Sequence, residues 1–182
     1  MVETGEADAF ITGLYTKYSN TVKVVKEVIG IRPQYQHFGA MHIINSPKGT
    51  FYIADTLVNE NPDTETLIDI AKLASKSVKF FNEKPVVALV SHSNFGSSQS
   101  DGAKKVKQAV EYLQERYPDL PIDGEMQLGF AIDRELRDEQ YPFTRLFGKD
   151  VNTLVFPNLT SARSSYKMLQ MLNSDIEIIG PI

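Results

Sequence analysis

The chain has 182 residues, 42% hydrophobic and 23% charged, a composition typical of a globular protein with its own core. Its formal net charge of −4, with no basic run, argues against a nucleic-acid partner. The lack of cysteine excludes disulfides, thiolate catalysis and zinc–sulfur sites. Neither a membrane-length apolar run nor a signal-peptide pattern is present, so we expect no membrane association and a cytoplasmic location.

The first part of the chain predicts one strand and one helix. Residues 7–12 have the composition of a short buried strand, one that has lost whatever preceded it. A helix begins after a cap at Ser19 or Asn20 and ends at Gly30, because Pro33 cannot continue it. The residues expected to face inward on this helix are Val22, Val25, Val28 and Ile29.

A hairpin and a second helix follow. Residues 37–44 and 50–58 are strand candidates on either side of a turn with Pro and Gly at 45–49. Asp63 is a good N-cap for a helix that runs from Thr64 to about Phe81 and ends at Asn82.

The centre of the chain predicts a strand, a polar loop and a helix. Residues 85–91 are apolar without alternation, which is typical of a strand covered on both faces. Residues 103–113 have the spacing of an amphipathic helix packed on that sheet. The loop between them is expected at the carboxyl end of a strand, where open α/β sheets bind ligands. Its candidate ligand-binding residues are Ser91, His92, Ser93, Asn94, Phe95, Gly96, Ser97 and Ser98.

A plainer interpretation of the same loop stays open. Serine, asparagine and glycine also make ordinary turns, and Ser100 or Asp101 is a sensible cap for the following helix. The nearest phosphate-loop motif does not match, because Gly96 and Gly102 have the wrong spacing and no Gly-Lys-Ser/Thr follows.

The last part of the chain predicts two more strands and two helices. Residues 122–128 run into a short helix near 131–139, and residues 152–157 form a buried strand. Residues 158–162 turn into a helix that ends with Asn173 as a left-handed cap, and residues 176–180 form a final strand. That helix is expected to bury Ala162, Tyr166, Leu169 and Leu172. The fold class is therefore α/β, with a largely parallel, mixed sheet and helices on both faces.

The residues predict no catalytic or metal site of their own. His92 stands between two serines, but adjacent residues cannot form a nucleophile–base–orienter relay. His37 and His42 would point to opposite faces of a strand and so cannot share a metal. Among the acidic residues, only Asp123 and Glu125, at the end of an apolar stretch, are candidates for a cleft; the others suit a solvated surface.

Several stretches together resemble the phosphate acetyl/butyryltransferase family, and they cover essentially the whole chain in order. They are residues 1–9, 52–59 with Pro62-Asp63, 122–126, 153–158 and 179–182. Within that family, residues 91–98 and 39–42 look most like the C-terminal transacetylase-like region of bacterial NADP-dependent malic enzymes.

The resemblance implies a fold of two α/β lobes with coenzyme A and acyl phosphate in the cleft between them. Residues 1–20 would be the tail of the first lobe and residues 21–182 the three-layer second lobe, within a longer chain. It also implies that acetyl-CoA or coenzyme A binds, with Lys23, the 91–98 loop, Asp123, Glu125 and Asn158 at the cleft. Dimers or higher homo-oligomers would form largely through the second lobe, with Tyr112, Tyr117, Tyr141, Phe143 and Phe147 as interface candidates.

Three departures from the active transacetylases bear on function. The chain ends before the Ser-Arg pair and aspartate of the family, and the 91–98 loop has no basic residue. Lys23 aligns with a substrate-binding arginine, and lysine lacks the planar two-pronged grip on phosphate. We therefore expect an acetyl-CoA-binding regulatory and assembly region of a malic enzyme, whose NADP and divalent metal belong to its other domains. Part of a catalytic phosphate acetyltransferase is the alternative, and a generic α/β interaction domain is a weaker third.

Overall fold

The computed structural model describes residues 1–2, 4–8, 17–31, 33 and 35–182. These divide into two compact units, Met1–His37 and Phe38–Ile182. The predicted strand at residues 7–12 falls almost wholly outside the described residues. Among those described, no helix is long and apolar enough to cross a membrane. The predicted lobe boundary at residue 20 remains a prediction about a longer chain.

The elements alternate between strands and helices, as the sequence pattern predicts. In chain order they are α1 Tyr18–Val28, β1 Met41–Ser46, β2 Gly49–Ala54, α2 Thr64–Phe80, β3 Val87–Val90, α3 Asp101–Arg116, β4 Ile122–Met126, α4 Leu128–Ile132, α5 Arg134–Gln140, β5 Thr153–Val155, α6 Leu159–Leu172 and β6 Glu177–Ile179.

The first unit contains α1, and its apolar residues are less buried than the sequence pattern predicts. Val28 and Ile29, expected to face inward, are 54% and 49% exposed. Val22 and Val25 are half-buried. The 3.6-residue spacing therefore marks an apolar face of α1 that is only partly buried.

The second unit is built on one six-stranded sheet in the order β4-β3-β5-β2-β1-β6. β3 pairs in parallel with both β4 and β5, and β5 with β2. β1 runs antiparallel to both β2 and β6. The buried strands predicted at residues 85–91 and 152–157 are confirmed as β3 and β5, which are neighbours in the sheet, and all four residues of β3 are buried.

Helices cover both faces of the sheet, which confirms the predicted layering. On one face, α2 and α3 contribute apolar residues such as Leu67 and Leu113 to a core with Val87 and Leu89. On the other, Ala131 of α4 and Tyr166 of α6 pack with the strand residues of the opposite pleat. Strand β3 thus sends Val87 and Leu89 into one core and Ala88 and Val90 into the other, which explains its unbroken apolar sequence.

Two elements begin at other residues than the sequence pattern predicts. Helix α1 begins at Tyr18, not after a cap at Ser19 or Asn20, because the Asn20 N–H already donates to the Lys17 carbonyl at 2.9 Å. Strand β1 is Met41–Ser46, not residues 37–44, because its pairing with β2 begins at Met41.

The end of β2, the cap of α6 and the inner face of α6 also differ from the prediction. Strand β2 ends at Ala54, because the carboxylate of Asp55 gathers the following N–H groups into a loop instead of a ladder. Asn173 caps α6 in an extended conformation, with φ −137°, not a left-handed one. Leu169 and Leu172, expected in the core, are 38% and 78% exposed, since α6 buries only its first half.

Candidate ligand site at the carboxyl edge of the sheet

Four parallel strands bring their carboxyl ends to one edge of the sheet. The segments that follow them are residues 55–59 after β2, 91–98 after β3, Gln127 after β4, and 156–158 after β5. Ligands bind at this edge in open α/β sheets. The topology therefore brings together most of the residues that the sequence nominates.

The loop at 91–98 is closely hydrogen-bonded within itself and to β4. The backbone N–H groups of all six residues from Ser93 to Ser98 are donated inside the protein. Ser93, Asn94 and Ser98 donate to serine hydroxyls at 2.9–3.2 Å, and Phe95, Gly96 and Ser97 donate to oxygens of Glu125 and Asn94 at 2.6–3.0 Å. The loop thus has a fixed shape, and these amides are occupied.

Glu125 is the group that fastens the loop to the sheet. One carboxylate oxygen, Oε1, accepts the Ser93 hydroxyl at 2.7 Å and the Gly96 N–H at 2.6 Å. Its backbone carbonyl accepts the Phe95 N–H at 2.8 Å. Glu125 is only 1% exposed, and its second oxygen, Oε2, is buried without a partner among the described residues. A carboxylate from the neighbouring strand therefore sets the loop's position.

Two further contacts hold the loop from its sides. Gln127 donates its backbone N–H to Asn94 Oδ1 at 2.7 Å and its side-chain amide to the His92 carbonyl at 3.1 Å. The Phe95 ring packs against Tyr141 and Phe143, with ring centroids 4.9 and 5.1 Å apart. Gln127 escaped the sequence analysis because an isolated glutamine after a strand carries no motif.

His92 lies at the exposed rim, where its neighbours are hydroxyls. Its Nε2 is 3.2 Å from both Ser98 Oγ and Ser100 Oγ, and Ser100 also caps α3 through the Ala103 N–H. The two serines share the imidazole, and no described carboxylate orients it. The arrangement is a capped helix start beside the loop, as the plainer interpretation predicts for Ser100.

Asn158 lies at this edge, directly after β5, whereas Asp123 lies near the amino end of β4, beside Gln114 of α3. Asp123 is buried and accepts four hydrogen bonds, including those of the Thr144 hydroxyl at 2.7 Å and the Arg145 N–H at 2.8 Å. Asn158 caps α6 by accepting the Ser161 N–H at 2.8 Å. A ligand role for either would add to these tasks, and it stays a prediction.

Lys23 belongs to α1 in the first unit. Its ammonium group lies 3.9 Å from the Glu27 carboxylate, one helical turn away, and both side chains are largely exposed. Such a pair is weak in water. Its predicted position across from the loop stays a prediction.

The structure adds a second buried carboxylate, Asp55, at the end of β2. Its two oxygens accept the backbone N–H groups of Ala40, Leu57, Val58 and Asn59, and the side-chain amide of Asn59. An aspartate that closes a strand and is followed within four residues by asparagine is the sequence signal that could have indicated this loop.

His42 lies beside this second loop. Its Nδ1 is 2.8 Å from the Thr56 hydroxyl, which itself donates to the Ala40 carbonyl at 3.2 Å, so the ring N–H is the donor. The ring stacks on Tyr166 at a centroid distance of 4.4 Å. Burial lowers the pKa of His42 below 6.5, and the nearby cations Lys167 and Arg163 lower it further. The neutral imidazole is therefore favoured.

The whole chain matches the model of one known protein family. The profile of the family described as phosphate acetyl/butaryl transferase matches residues 1–182. The chain belongs to this family. The resemblance inferred from the sequence is confirmed, and so is its α/β fold.

Relatives within the family include two classes of enzyme. The chain is 43% identical over its full length to an NADP-dependent malic enzyme of Escherichia coli, of which it covers 24%. It is 34% identical to a phosphate acetyltransferase of Acetivibrio thermocellus, of which it covers 56%. A phosphotransacetylase crystal structure from Streptococcus pyogenes superposes with a TM-score of 0.91 at 30% identity, over all of this chain and 55% of that one.

The chain corresponds to only part of each of these enzymes. The chain spans about a quarter of the malic enzyme's length and just over half of the acetyltransferase's length. It is similar to the transacetylase-like part of malic enzymes and to phosphotransacetylases.

Proposed function

We propose that this chain is the acetyl-CoA-binding regulatory and assembly region of a cytoplasmic, homodimeric or larger NADP-dependent malic enzyme. The parent protein would convert malate to pyruvate and CO₂ in its other domains, which hold the NADP and the divalent metal. The single observation that carries the proposal is the 43% identity to a malic enzyme along the entire chain, against 34% to a phosphate acetyltransferase.

The chemistry of the loop supports a binding role over a catalytic one. Phosphoryl and acyl transfer need positioned cations or free donors for the developing charge. Residues 91–98 include no lysine or arginine, and the N–H groups from Ser93 to Ser98 are occupied. Lys23 replaces the arginine that the resemblance leads one to expect, and lysine holds phosphate only as a point charge.

Regulation then follows from linkage. Acetyl-CoA can inhibit the malic enzyme only by its difference in affinity for two arrangements of the whole protein. Reciprocity requires that substrates favouring the active arrangement weaken acetyl-CoA binding by the same factor.

The test is malate decarboxylation by the full-length protein, followed as NADPH formation during an acetyl-CoA titration. We expect saturable inhibition, and acetyl-CoA affinity that falls when malate and NADP are saturating. A decarboxylation rate that does not respond to saturating acetyl-CoA would reject the proposal.

A matched pair of glycine variants asks whether the loop is the binding place. A Cβ at Gly96 or at Gly102 would meet no atom within 4 Å, but only Gly96 has a positive φ, +92°. Gly96→Ala therefore strains the loop, whereas Gly102→Ala fits α3. We expect weaker acetyl-CoA inhibition in the first variant alone, with both proteins folded.

The alternative function is part of a catalytic phosphate acetyltransferase. The observation that favours it is the close superposition on the phosphotransacetylase structure. It predicts formation of acetyl phosphate from acetyl-CoA and inorganic phosphate by the full-length protein. We expect none, and a measurable rate would favour the alternative.

A further inference from the structure

The direction of the hydroxyl protons in the 91–98 loop is set by Glu125. Its Oε1 accepts the Ser93 hydroxyl at 2.7 Å, so the single proton of Ser93 is used there. The Ser93 and Ser97 oxygens are 3.1 Å apart, and Ser97 must be the donor in that contact. The Ser98 N–H donates to the second lone pair of the Ser93 hydroxyl oxygen, with 2.9 Å between nitrogen and oxygen. Ser93 is fully buried and fully satisfied.

Ser97 is consequently a hydrogen-bond acceptor toward solvent. Its proton goes to Ser93, and it accepts the Asn94 N–H at 2.9 Å. A hydroxyl oxygen has two lone pairs, so one is left. The Ser97 side chain is exposed, and it offers that lone pair to a ligand.

Asn94, in the same turn, offers the complementary group. Its Oδ1 accepts the Gln127 N–H at 2.7 Å, which fixes the orientation of the side-chain amide. Its NH₂ group has no partner among the described residues and can donate. One acceptor and one donor on a single turn match an amide group, which has one N–H and one carbonyl.

The same residues are a poor match for phosphate. A phosphate ester at neutral pH is an acceptor, and protein sites for it present several free N–H groups or cations. Here the N–H groups of Ser93 through Ser98 are donated internally, and Ser97 can only accept.

We propose that this loop binds a neutral amide-bearing segment of the ligand, with Ser97 Oγ accepting the amide N–H and Asn94 donating to the amide carbonyl. Glu125 is the positioning residue, acting through Ser93. The inference rests on the proposed function, because in acetyl-CoA the amides lie in the pantetheine arm, between the thioester and the nucleotide phosphates.

The test compares two probes on the full-length protein by calorimetry: pantetheine, which carries amides and no phosphate, and inorganic phosphate. We expect pantetheine to bind and millimolar phosphate not to displace it. Ser97→Ala should weaken pantetheine and acetyl-CoA alike, by about two- to twelvefold for one neutral hydrogen bond. Ser97→Thr, which keeps the hydroxyl, should restore most of the affinity. Ser165→Ala, which removes a hydroxyl bonded to a carbonyl of α6, is the matched control.

Two substitutions at Glu125 distinguish a role in positioning the loop from a general structural role. Glu125→Gln keeps an acceptor for Ser93 and Gly96, whereas Glu125→Ala removes it. We expect pantetheine affinity to fall in the alanine variant and to return largely in the glutamine variant. Equal affinities in both variants would reject the role given to Glu125.

The outcomes distinguish this inference from the proposed function. If acetyl-CoA inhibits malate decarboxylation but phosphate displaces pantetheine, or Ser97→Ala leaves both affinities unchanged, the inference is wrong and the function stands. If pantetheine binds through Ser97 but acetyl-CoA does not affect decarboxylation, the function is wrong and the inference stands. If neither probe nor acetyl-CoA binds, both are wrong.

Discussion

Two loops at the same edge of the sheet are each organised by a buried carboxylate, but in different ways. In residues 55–59 the carboxylate belongs to the loop itself, and both oxygens of Asp55 accept hydrogen bonds. In residues 91–98 it comes from the neighbouring strand, and among the described residues only one oxygen of Glu125 has a hydrogen-bond partner. The first loop is a self-contained turn, whereas the second depends on how β4 is placed.

This difference in hydrogen bonding leads us to expect that one loop contributes to the stability of the fold and the other to ligand binding. When both oxygens of a buried carboxylate accept hydrogen bonds, these charge-assisted bonds offset the free-energy cost of its desolvation. A buried oxygen without a partner costs free energy, about 1–3 kcal/mol. We therefore expect the 55–59 loop to matter mainly for folding and the 91–98 loop mainly for the ligand. The predictions below test that division, from the largest expected effect to the smallest.

The largest effect is expected where β4 is set against β3. A Cβ at Gly124 would lie 2.6 Å from the Leu89 carbonyl oxygen, and its φ is +146°. Gly124→Ala should therefore shift β4, and with it Glu125, at a cost of about 3–4 kcal/mol. Urea denaturation measures this. Gly129→Ala in α4, where a Cβ meets no atom within 4 Å, should change the free energy of unfolding little.

The next effect concerns the self-contained loop. Asp55→Ala leaves buried N–H groups around residues 40 and 57–59 without their acceptor, so we expect a loss of about 2–3 kcal/mol in the free energy of unfolding. Asp63→Ala, which removes the N-cap bond to Thr66 in α2, is the comparison at about 1 kcal/mol. Equal losses in the two variants would show that Asp55 is an ordinary cap.

The sequence predicts the strands and helices well, but not the hydrogen bonds by which Asp55 and Glu125 hold the two loops. Strand β3 and helix α3 follow directly from their apolar spacing, because burial of one face imposes the period. Contacts of this kind join residues distant in sequence, as when Glu125 on β4 accepts the hydroxyl of Ser93, which follows the neighbouring strand β3. The sequence pattern makes Glu125 a candidate for the cleft, but no local pattern encodes its contact with Ser93.

The position of the loop could be predicted from the sequence, but its hydrogen bonding could not. A polar run between a buried strand and a helix falls at the ligand-binding edge on topological grounds. Whether its N–H groups are free depends on acceptors such as Glu125, which the fold supplies from a neighbouring strand. The sequence could therefore nominate the loop as a ligand site without indicating which of its groups are available to a ligand.

A smaller and more local effect is expected at Glu125. Glu125→Ala removes an acceptor but also an unpaired buried oxygen, so the net change in global stability should stay near 1 kcal/mol. The amides of Phe95, Gly96 and Ser98 should then exchange with solvent about tenfold faster, whereas those of β3 keep their protection. Hydrogen exchange by mass spectrometry measures both. Uniform loss of protection across β3 and α3 would contradict the local role.

The smallest expected effect is a pH dependence of stability that is confined to the loop at residues 55–59. His42 holds Thr56 in that loop, and burial with Lys167 and Arg163 nearby lowers its pKa below 6.5. The unfolded chain therefore takes up the proton at a higher pH than the folded protein. The contribution to stability is fully present above pH 6.5 and is lost as the pH falls through 6.5 toward the lower folded value.

His42→Phe provides the test, because it keeps a ring to stack on Tyr166 but cannot titrate. We expect the free energy of unfolding of the parent chain to fall between pH 7 and pH 5.5 and that of the variant to change less. Exchange at the 91–98 amides should show no matching change, since His42 has no bond to that loop among the described residues. A pH slope of equal size in both proteins would assign the effect to other groups. Loss of protection in both loops together would contradict the separation between them.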